Sequence, residues 1–289
     1  METGELLERL GYDASAKLCI VSCDYLGFSH SFNTGVFEAL RSGIATTARL
    51  LLTAPWSREV IAMYRGEDIG ISLVLTSNHD IFRMAPLTQS PTLVDGTGEL
   101  PRSLEEFWEH ADTSEVRREC RAQIERAIFY GVDPSHLSSD SHALTLKPEF
   151  FDVLVEVALE FGLPLRVTNQ GDPNHRVFPA FELAAEEGIV TPTQQVSILD
   201  RLSPDADLEA ALESALVGLG AGVSEISFKP ALESTELKAL MPNDWQQYTR
   251  AHAVLTSSRG AKILNDMGIG LIGYHDLKRV QSEIRTCVE

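Results

Sequence analysis

The chain is predicted to fold as an α/β protein: a single-domain (β/α) barrel over residues 1–289, distorted or incomplete, with two long loop excursions. Three observations predict it. Short apolar runs alternate with helical patterns, the signature of parallel strands joined by crossover helices. At least six strand–helix units follow one another with no internal repeat, low-complexity tract or interdomain linker. No glycine-rich phosphate loop follows any strand, which weighs against nucleotide-binding alternatives.

The elements follow in order. "KLCIVS" reads as the first strand, and "NTGVFEALRSG" as a helix whose apolar face is Val36, Phe37, Ala39 and Leu40, with Gly43 as its C-cap. "TARLLLT" is the second strand, "SREVIAMYRG" a helix with Ser57 as N-cap, and "IGISLVLTS" the third strand. Residues 78–113 hold Pro86, Pro91, Gly96, Gly98 and Pro101 without a sustained period, so they form the first excursion. A loop of this length inside a compact domain is more often functional than idle. "SEVRRECRAQIERAIFYG" is a long amphipathic helix with Val116, Cys120, Ile124, Ala127 and Ile128 on one face. "DPSHLSSDSHAL" breaks the pattern and "KPEFFDVLVEVALEFG" resumes it as helix. The strand "LPLRVT" leads into a second irregular stretch, from Asn169 to about Pro204, with one helical piece at "AFELAAEEG". The helix "DADLEAALESALVGL", the strand "SEISFKP", an irregular linker through Trp245, the helix "SSRGAKILNDMG" and the strand "GLIGYH" complete the chain.

Composition bounds the function. With 44% hydrophobic and 23% charged residues the chain has the balance of an ordinary globular protein. A net charge of −18, from 42 acids against 24 bases, argues against nucleic acid as a partner, because phosphate-backbone binding needs clustered Lys and Arg. No apolar run approaches a membrane span, and the N-terminal residues "METGELLERLGYDASAK" carry no signal-peptide core, so a cytoplasmic protein with no membrane partner is expected. Cys19, Cys23, Cys120 and Cys287 have no CxxC pair and no zinc-ribbon spacing, and Cys19 and Cys23 read as reduced strand residues.

In a barrel of this kind reactive groups gather at the C-terminal ends of the strands. Those ends carry Asp24, then His79 and Asp80, then His136, Asp140 and His142, then Arg166, Lys229 and the run Tyr274, His275, Asp276. One acid, several imidazoles, a guanidinium and an amine around one cavity is a hydrolase-like constellation. Each member also has a structural reading. Asp24 could serve only as a helix cap. His136 and His142 could be solvated loop histidines. Lys229 could end an exposed strand. Arg166, inside a strand, should be buried and paired, because an unpaired guanidinium there is costly.

Together the segments resemble a known family. "GFS" with Asn33 and Gly35, "GISLVLT", "LVDGTGELP", "AQIERAIFYGVDPSHLSSDSH", "FGLPLR", "EISFKP" and "GIGLIGYHDL" occur in an order that resembles the YdjC-like family, which includes chitooligosaccharide deacetylases. The resemblance runs from about Lys17 to Leu277. It implies a deacetylase fold with a divalent metal, a base and a proton donor. The family's Ala-Asp-Asp-Phe-Gly, first acid as base and second as metal ligand, reads here Cys23, Asp24, Tyr25, Leu26, Gly27. The strand that carries a ligand histidine reads Gly70, Ile71, Ser72, Leu73. The family's His-Leu-Asp-Ser-His reads His136, Leu137, Ser138, Ser139, Asp140, and its His-Pro donor is Lys229-Pro230. No metal ligand is therefore expected at the inherited positions, where Tyr25 and Ser72 are poor partners for zinc at neutral pH.

Three readings stay open. In one, zinc or magnesium is held by a rearranged shell of Asp24, Asp140 and His142 or His79. In another, chemistry runs without metal: Asp24 is the base, Lys229 or Arg166 stabilises an oxyanion, and Asp140 or Tyr25 handles a proton. In the third, the pocket only binds a ligand, or the barrel is structural. Tyr25, Ser72, His79, His136, Ser138, Asp140 and His142 are the expected binding residues. The leading expectation is a hydrolase acting on an N-acyl amide of a sugar-derived small molecule. A homo-oligomer is compatible with the resemblance.

Overall fold

The structure is a computed structural model and describes residues 2–167, 180–197 and 207–288. Among the described residues, eight strands form one parallel sheet: β1 (Lys17–Leu26), β2 (Thr47–Leu50), β3 (Ile69–Leu73), β4 (Pro134–Ser139), β5 (Leu165–Arg166), β6 (Gln194–Ser197), β7 (Gly222–Phe228) and β8 (Gly270–Leu271). Their order is β5-β4-β3-β2-β1-β7-β6, with β8 against the start of β1, where Leu18 faces Gly270 and Cys19 faces Leu271. The sheet curls until its two ends approach: the Leu165 N–H donates to the carbonyl of Val190, just ahead of β6, at 3.2 Å. This is the α/β half-barrel architecture that the alternating pattern predicts.

Two apolar cores confirm the curl. Alternation along β1 sends Cys19, Val21 and Cys23 outward to pack with Ala48, Leu50, Ile71, Leu137, Ile226 and Phe228 under the helices. The intervening Leu18 and Ile20 join Val223, Tyr274, Leu277 and the helical Leu6 and Leu7 in a second cluster that plugs the N-terminal end of the interior. The C-terminal end of the same interior is lined by polar residues. Buried on both faces, β1 and β3 read as largely apolar runs, and β7 is marked by Val223, Ile226 and Phe228, which is why they were legible.

The turn after β1 is held tightly. Gly27 has φ 96°, and a Cβ there would strike the Leu51 carbonyl. The Gly27 N–H donates to Asn33 Oδ1 at 2.7 Å, and Asn33 Nδ2 donates to Glu59 and to the Trp56 carbonyl. Ser29 caps helix His30–Ser42, and Gly43 ends it. Ser57 is the first helical residue of the next helix, with Trp56 at the cap position.

Several expectations are corrected. "DPSHLSSDSHAL" contains a full strand, β4, hidden because its inward positions are Ser and His where a strand pattern looks for Val or Ile. β6 lies in a stretch read as irregular, and helix Trp245–Thr256 fills the unassigned residues after the linker that ends at Trp245. "GLIGYH" yields only a two-residue strand, and helix Tyr274–Val288 begins inside it. The first excursion is ordered: buried Glu119 accepts from the Leu87 and Thr88 N–H groups at 2.9 Å, and Arg83 pairs with Asp95. Most of the second excursion, residues 168–179 and 198–206, lies outside the described residues.

Candidate active site

The polar end of the interior is built on a chain of alternating charges. From β1, Asp24 accepts from Arg49 of β2: Nε and Nη2 both stand 2.7 Å from Oδ1. Arg49 Nη1 donates to Ser138 Oγ of β4 at 3.3 Å. Arg166 of β5 approaches the same Asp24 oxygen at 3.9 Å and pairs through Nε with Glu225 Oε1 of β7 at 2.7 Å. That last contact joins two buried charged groups directly. Glu225 Oε2 accepts from Tyr274 Oη at 2.7 Å and from Gln195 Nε2 at 3.0 Å. Tyr274 in turn stacks on His136 at 3.7 Å, where Gly70 leaves room for the imidazole.

Burial sets the electrostatics. It raises the Asp24 pKa, but the charges of Arg49, Arg166 and Lys229 and the Arg49 hydrogen bond outweigh it and hold the carboxyl below its ordinary value. Asp140 goes the other way: burial dominates and its pKa is raised. His136 is fully buried and held well below the usual imidazole range by desolvation, with the Arg49 and Arg166 charges adding to it. It is a neutral ring, with Nδ1 at 2.9 Å from Ser135 Oγ and Nε2 without a hydrogen-bond partner among the described residues. Ser72, paired in register with Ser138, has a buried Oγ equally without a partner among the described residues.

Around the polar centre stands an aromatic wall. Tyr25, at φ 67°, stacks on Phe28 at 5.1 Å and meets Phe32 edge-on at 5.2 Å, and Lys229 Nζ lies 5.0 Å over its ring. His79 packs on Phe28 at 4.6 Å and on Phe82 at 5.2 Å, and burial lowers its pKa. Ser141 and His142 both take positive φ just past β4.

The fold thus brings Asp24, Arg166, His136, Ser138 and, by register, Ser72 onto one interior, with Lys229 and Asp140 within electrostatic reach of Asp24. It does not bring His142 or His79 to Asp24. His142 is exposed in a left-handed turn with Nδ1 3.4 Å from Thr145 Oγ1, and His79 belongs to the aromatic wall. Asp80 is exposed and pairs with Arg102. His275 and Asp276 serve the start of the last helix, where the His275 N–H donates to Asp68 and Asp276 accepts from the Gly273 N–H. Arg49 and Glu225 were missed. The cost of an unpaired strand guanidinium, used for Arg166, applies equally to the Arg in "TARLLLT".

The donors do not fit the divalent ion that the family resemblance implies. No group of three or more His, Cys, Asp or Glu among the described residues is arranged to hold one. The rearranged shell of Asp24, Asp140 and His142 is therefore not assembled, because His142 turns outward and Asp24 is committed to Arg49. The phenol of Tyr25, the hydroxyls of Ser72 and Ser138 and the amine of Lys229 are poor zinc partners.

Comparison with known proteins agrees with the architecture. A carbohydrate deacetylase of Thermus thermophilus is 34% identical over 247 residues, covering 83% of this chain and 86% of its own. A carbohydrate deacetylase of Geobacillus stearothermophilus is 27% identical over 91% of this chain and 99% of its own. A chitooligosaccharide deacetylase of Yersinia pestis is 30% identical over 55% of this chain and 62% of its own. The crystal structure of an Enterococcus faecalis protein named for cellobiose-phosphate cleavage superposes with a TM-score of 0.76 at 25% identity, covering 91% of this chain and 99% of that one. No helix among the described residues is long and apolar enough to cross a membrane. The family model for YdjC-like protein matches residues 18–266, and the chain belongs to that family of carbohydrate-deacetylase-like proteins.

Proposed function

We propose that the chain recognises a sugar-derived polar small molecule at the C-terminal mouth of the barrel, without the metal-assisted hydrolysis of an N-acyl group. One observation carries this reading: both Arg49 contacts to Asp24 fall on one oxygen at 2.7 Å, and the carboxyl is held ionised below its ordinary pKa. A proton acceptor works best with a pKa near the working pH, so Asp24 is a weak base and a good anchor. Its role here is to hold Arg49 and Arg166 in place.

The recognition surface then has two parts. Ser72, Ser138, Arg49 and Lys229 supply donors for hydroxyl, acyl or phosphate oxygens, and the partly exposed rings of Tyr25 and His79, backed by buried Phe28, supply a face for the apolar side of a sugar. The names of the relatives, carbohydrate deacetylase and cellobiose-phosphate cleavage protein, support a carbohydrate ligand. Buried free thiols at Cys19, Cys23 and Cys120 support a reducing, cytoplasmic setting.

A second reading, metal-free hydrolysis, is favoured by Asp140, whose pKa is raised by burial and which stands within electrostatic reach of Arg49 and Lys229. One experiment separates the two. Chitooligosaccharides, cello-oligosaccharides and their phosphates are screened by thermal shift, and released acetate is measured on the same samples. Stabilisation without acetate release is expected. Asp140-dependent release would establish the second reading, and no stabilisation by any saccharide would sink the first.

A further inference from the structure

We propose that Arg49 is the resident cation of this centre: lodged between Asp24 and Ser138, its guanidinium neutralises Asp24 and bars a divalent ion from that carboxylate. The inference rests on the reading of Asp24 as an anchor and adds what the anchor is for.

The geometry is that of a side chain bridging three strands. Arg49 leaves β2, meets Asp24 on the neighbouring β1 with Nε and Nη2, and reaches with Nη1 past β3 to Ser138 on β4. Three of its nitrogens are therefore engaged at once, which fixes the plane of the fork. Both partners are desolvated, with the Asp24 side chain 8% and the Arg49 side chain 12% exposed. Neither can lose the other cheaply.

A divalent ion using Asp24 as a ligand must sit about 2.0–2.2 Å from a carboxylate oxygen. With the Arg49 nitrogens already 2.7 Å from Oδ1, ion and guanidinium would be close like charges in a water-poor interior. An ion on either oxygen of Asp24 would face the guanidinium charge at close range, and displacing Arg49 to relieve that would leave a buried guanidinium without its carboxylate. A structural staple alone would hold β1 to β4 but would have no bearing on ions. That difference is measurable.

The test is calorimetric titration of the full chain with Zn²⁺, Ni²⁺ and Mg²⁺, each with a parallel thermal melt. The proteins are wild type, Arg49→Met, Arg49→Lys, Asp24→Asn and the Asp24→Asn/Arg49→Met double variant. Expected are no Asp24-dependent binding in wild type or Arg49→Lys, and weak binding in Arg49→Met through Asp24 with Asp140 in reach, at least about tenfold above the wild-type detection limit, that the double variant lacks. Arg49→Gln, which keeps a donor to Asp24 without the charge, replaces Arg49→Met if the latter does not fold. The inference is overturned if wild type binds one ion that Asp24→Asn abolishes, or if neutralising Arg49 leaves ion affinity unchanged. Saccharide melts on the same preparations keep the two ideas apart. An ion bound through Asp24 with saccharide stabilisation intact overturns this inference alone, whereas lost saccharide binding with ions still excluded overturns only the recognition reading.

Discussion

Replacing Asp24 with Asn should cost the fold far more than replacing a surface acid. At an effective dielectric of about 20, a unit charge pair is worth roughly 6 kcal/mol at the 2.7 Å separation from Arg49 and roughly 4 kcal/mol at the 3.9 Å separation from Arg166. Desolvation of three ions offsets most of that, and removing one partner of a buried pair typically costs about 3–5 kcal/mol. The Asn amide oxygen still accepts from Arg49, so the expected loss is near the lower end, about 3 kcal/mol. Urea unfolding at neutral pH measures it. The Asp24→Asn/Arg49→Met double variant should recover part of the loss, with a coupling of about 1–3 kcal/mol. The pH dependence has a definite sign. Because the folded-state pKa of Asp24 is depressed, its stabilisation is present above the ordinary carboxylate pKa and is lost as pH falls through the folded value. The gap between wild type and Asp24→Asn should therefore close in acid. A loss below about 1 kcal/mol with additive single variants would mean the pair behaves like an exposed one, and the anchor reasoning would be refuted.

Two further outcomes follow from the same interior. Asp140 has a raised folded-state pKa, so the fold favours its protonated form below the ordinary pKa and loses that advantage as pH rises through the folded value. Asp140→Asn should raise the melting temperature at about pH 7, with the gain vanishing near pH 3; an unchanged or lowered melting temperature at neutral pH would contradict the burial account. At Gly70 a Cβ would fall against the His136 ring, which is fully buried and stacked on Tyr274. Gly70→Ala should cost about 1–3 kcal/mol in urea unfolding, and a neutral result would show that the His136 ring has space to move.

How much of this was legible depends on which face of each strand carried the signal. β1, β3 and β7 announce themselves because their outward positions are apolar and part of the inward ones are too. β4 does not, since Ser135, His136 and Ser138 break the apolar run although all are buried. Its burial follows from the barrel, a long-range fact that no local window contains. The site residues show the same division. Asp24, Ser72, His136, Ser138, Asp140, Arg166 and Lys229 were found because they end strands or fill positions that the family resemblance marks. Arg49 and Glu225 sit mid-strand, and only the pairing across β1, β2, β5 and β7 shows what they do.

Tyr25 joins the two levels. A non-glycine residue at φ 67° carries a backbone cost of roughly 1–2 kcal/mol, and a bulky aromatic is an unusual choice for it. Such a conformation persists only where its surroundings over-determine it. Here the following turn is clamped through Gly27 and Asn33, and the ring is packed against Phe28, Phe32 and Tyr248. Ring contacts of that kind contribute about 0.5–1.5 kcal/mol each beyond burial, enough to offset the strain. The turn therefore keeps its shape with a bulky aromatic at this position. A second acid beside Asp24 would have added negative charge to a centre that now balances Asp24 against Arg49 and Arg166. With Tyr25 there, the cations suffice, and Tyr25 and Arg49 read as two halves of one electrostatic arrangement.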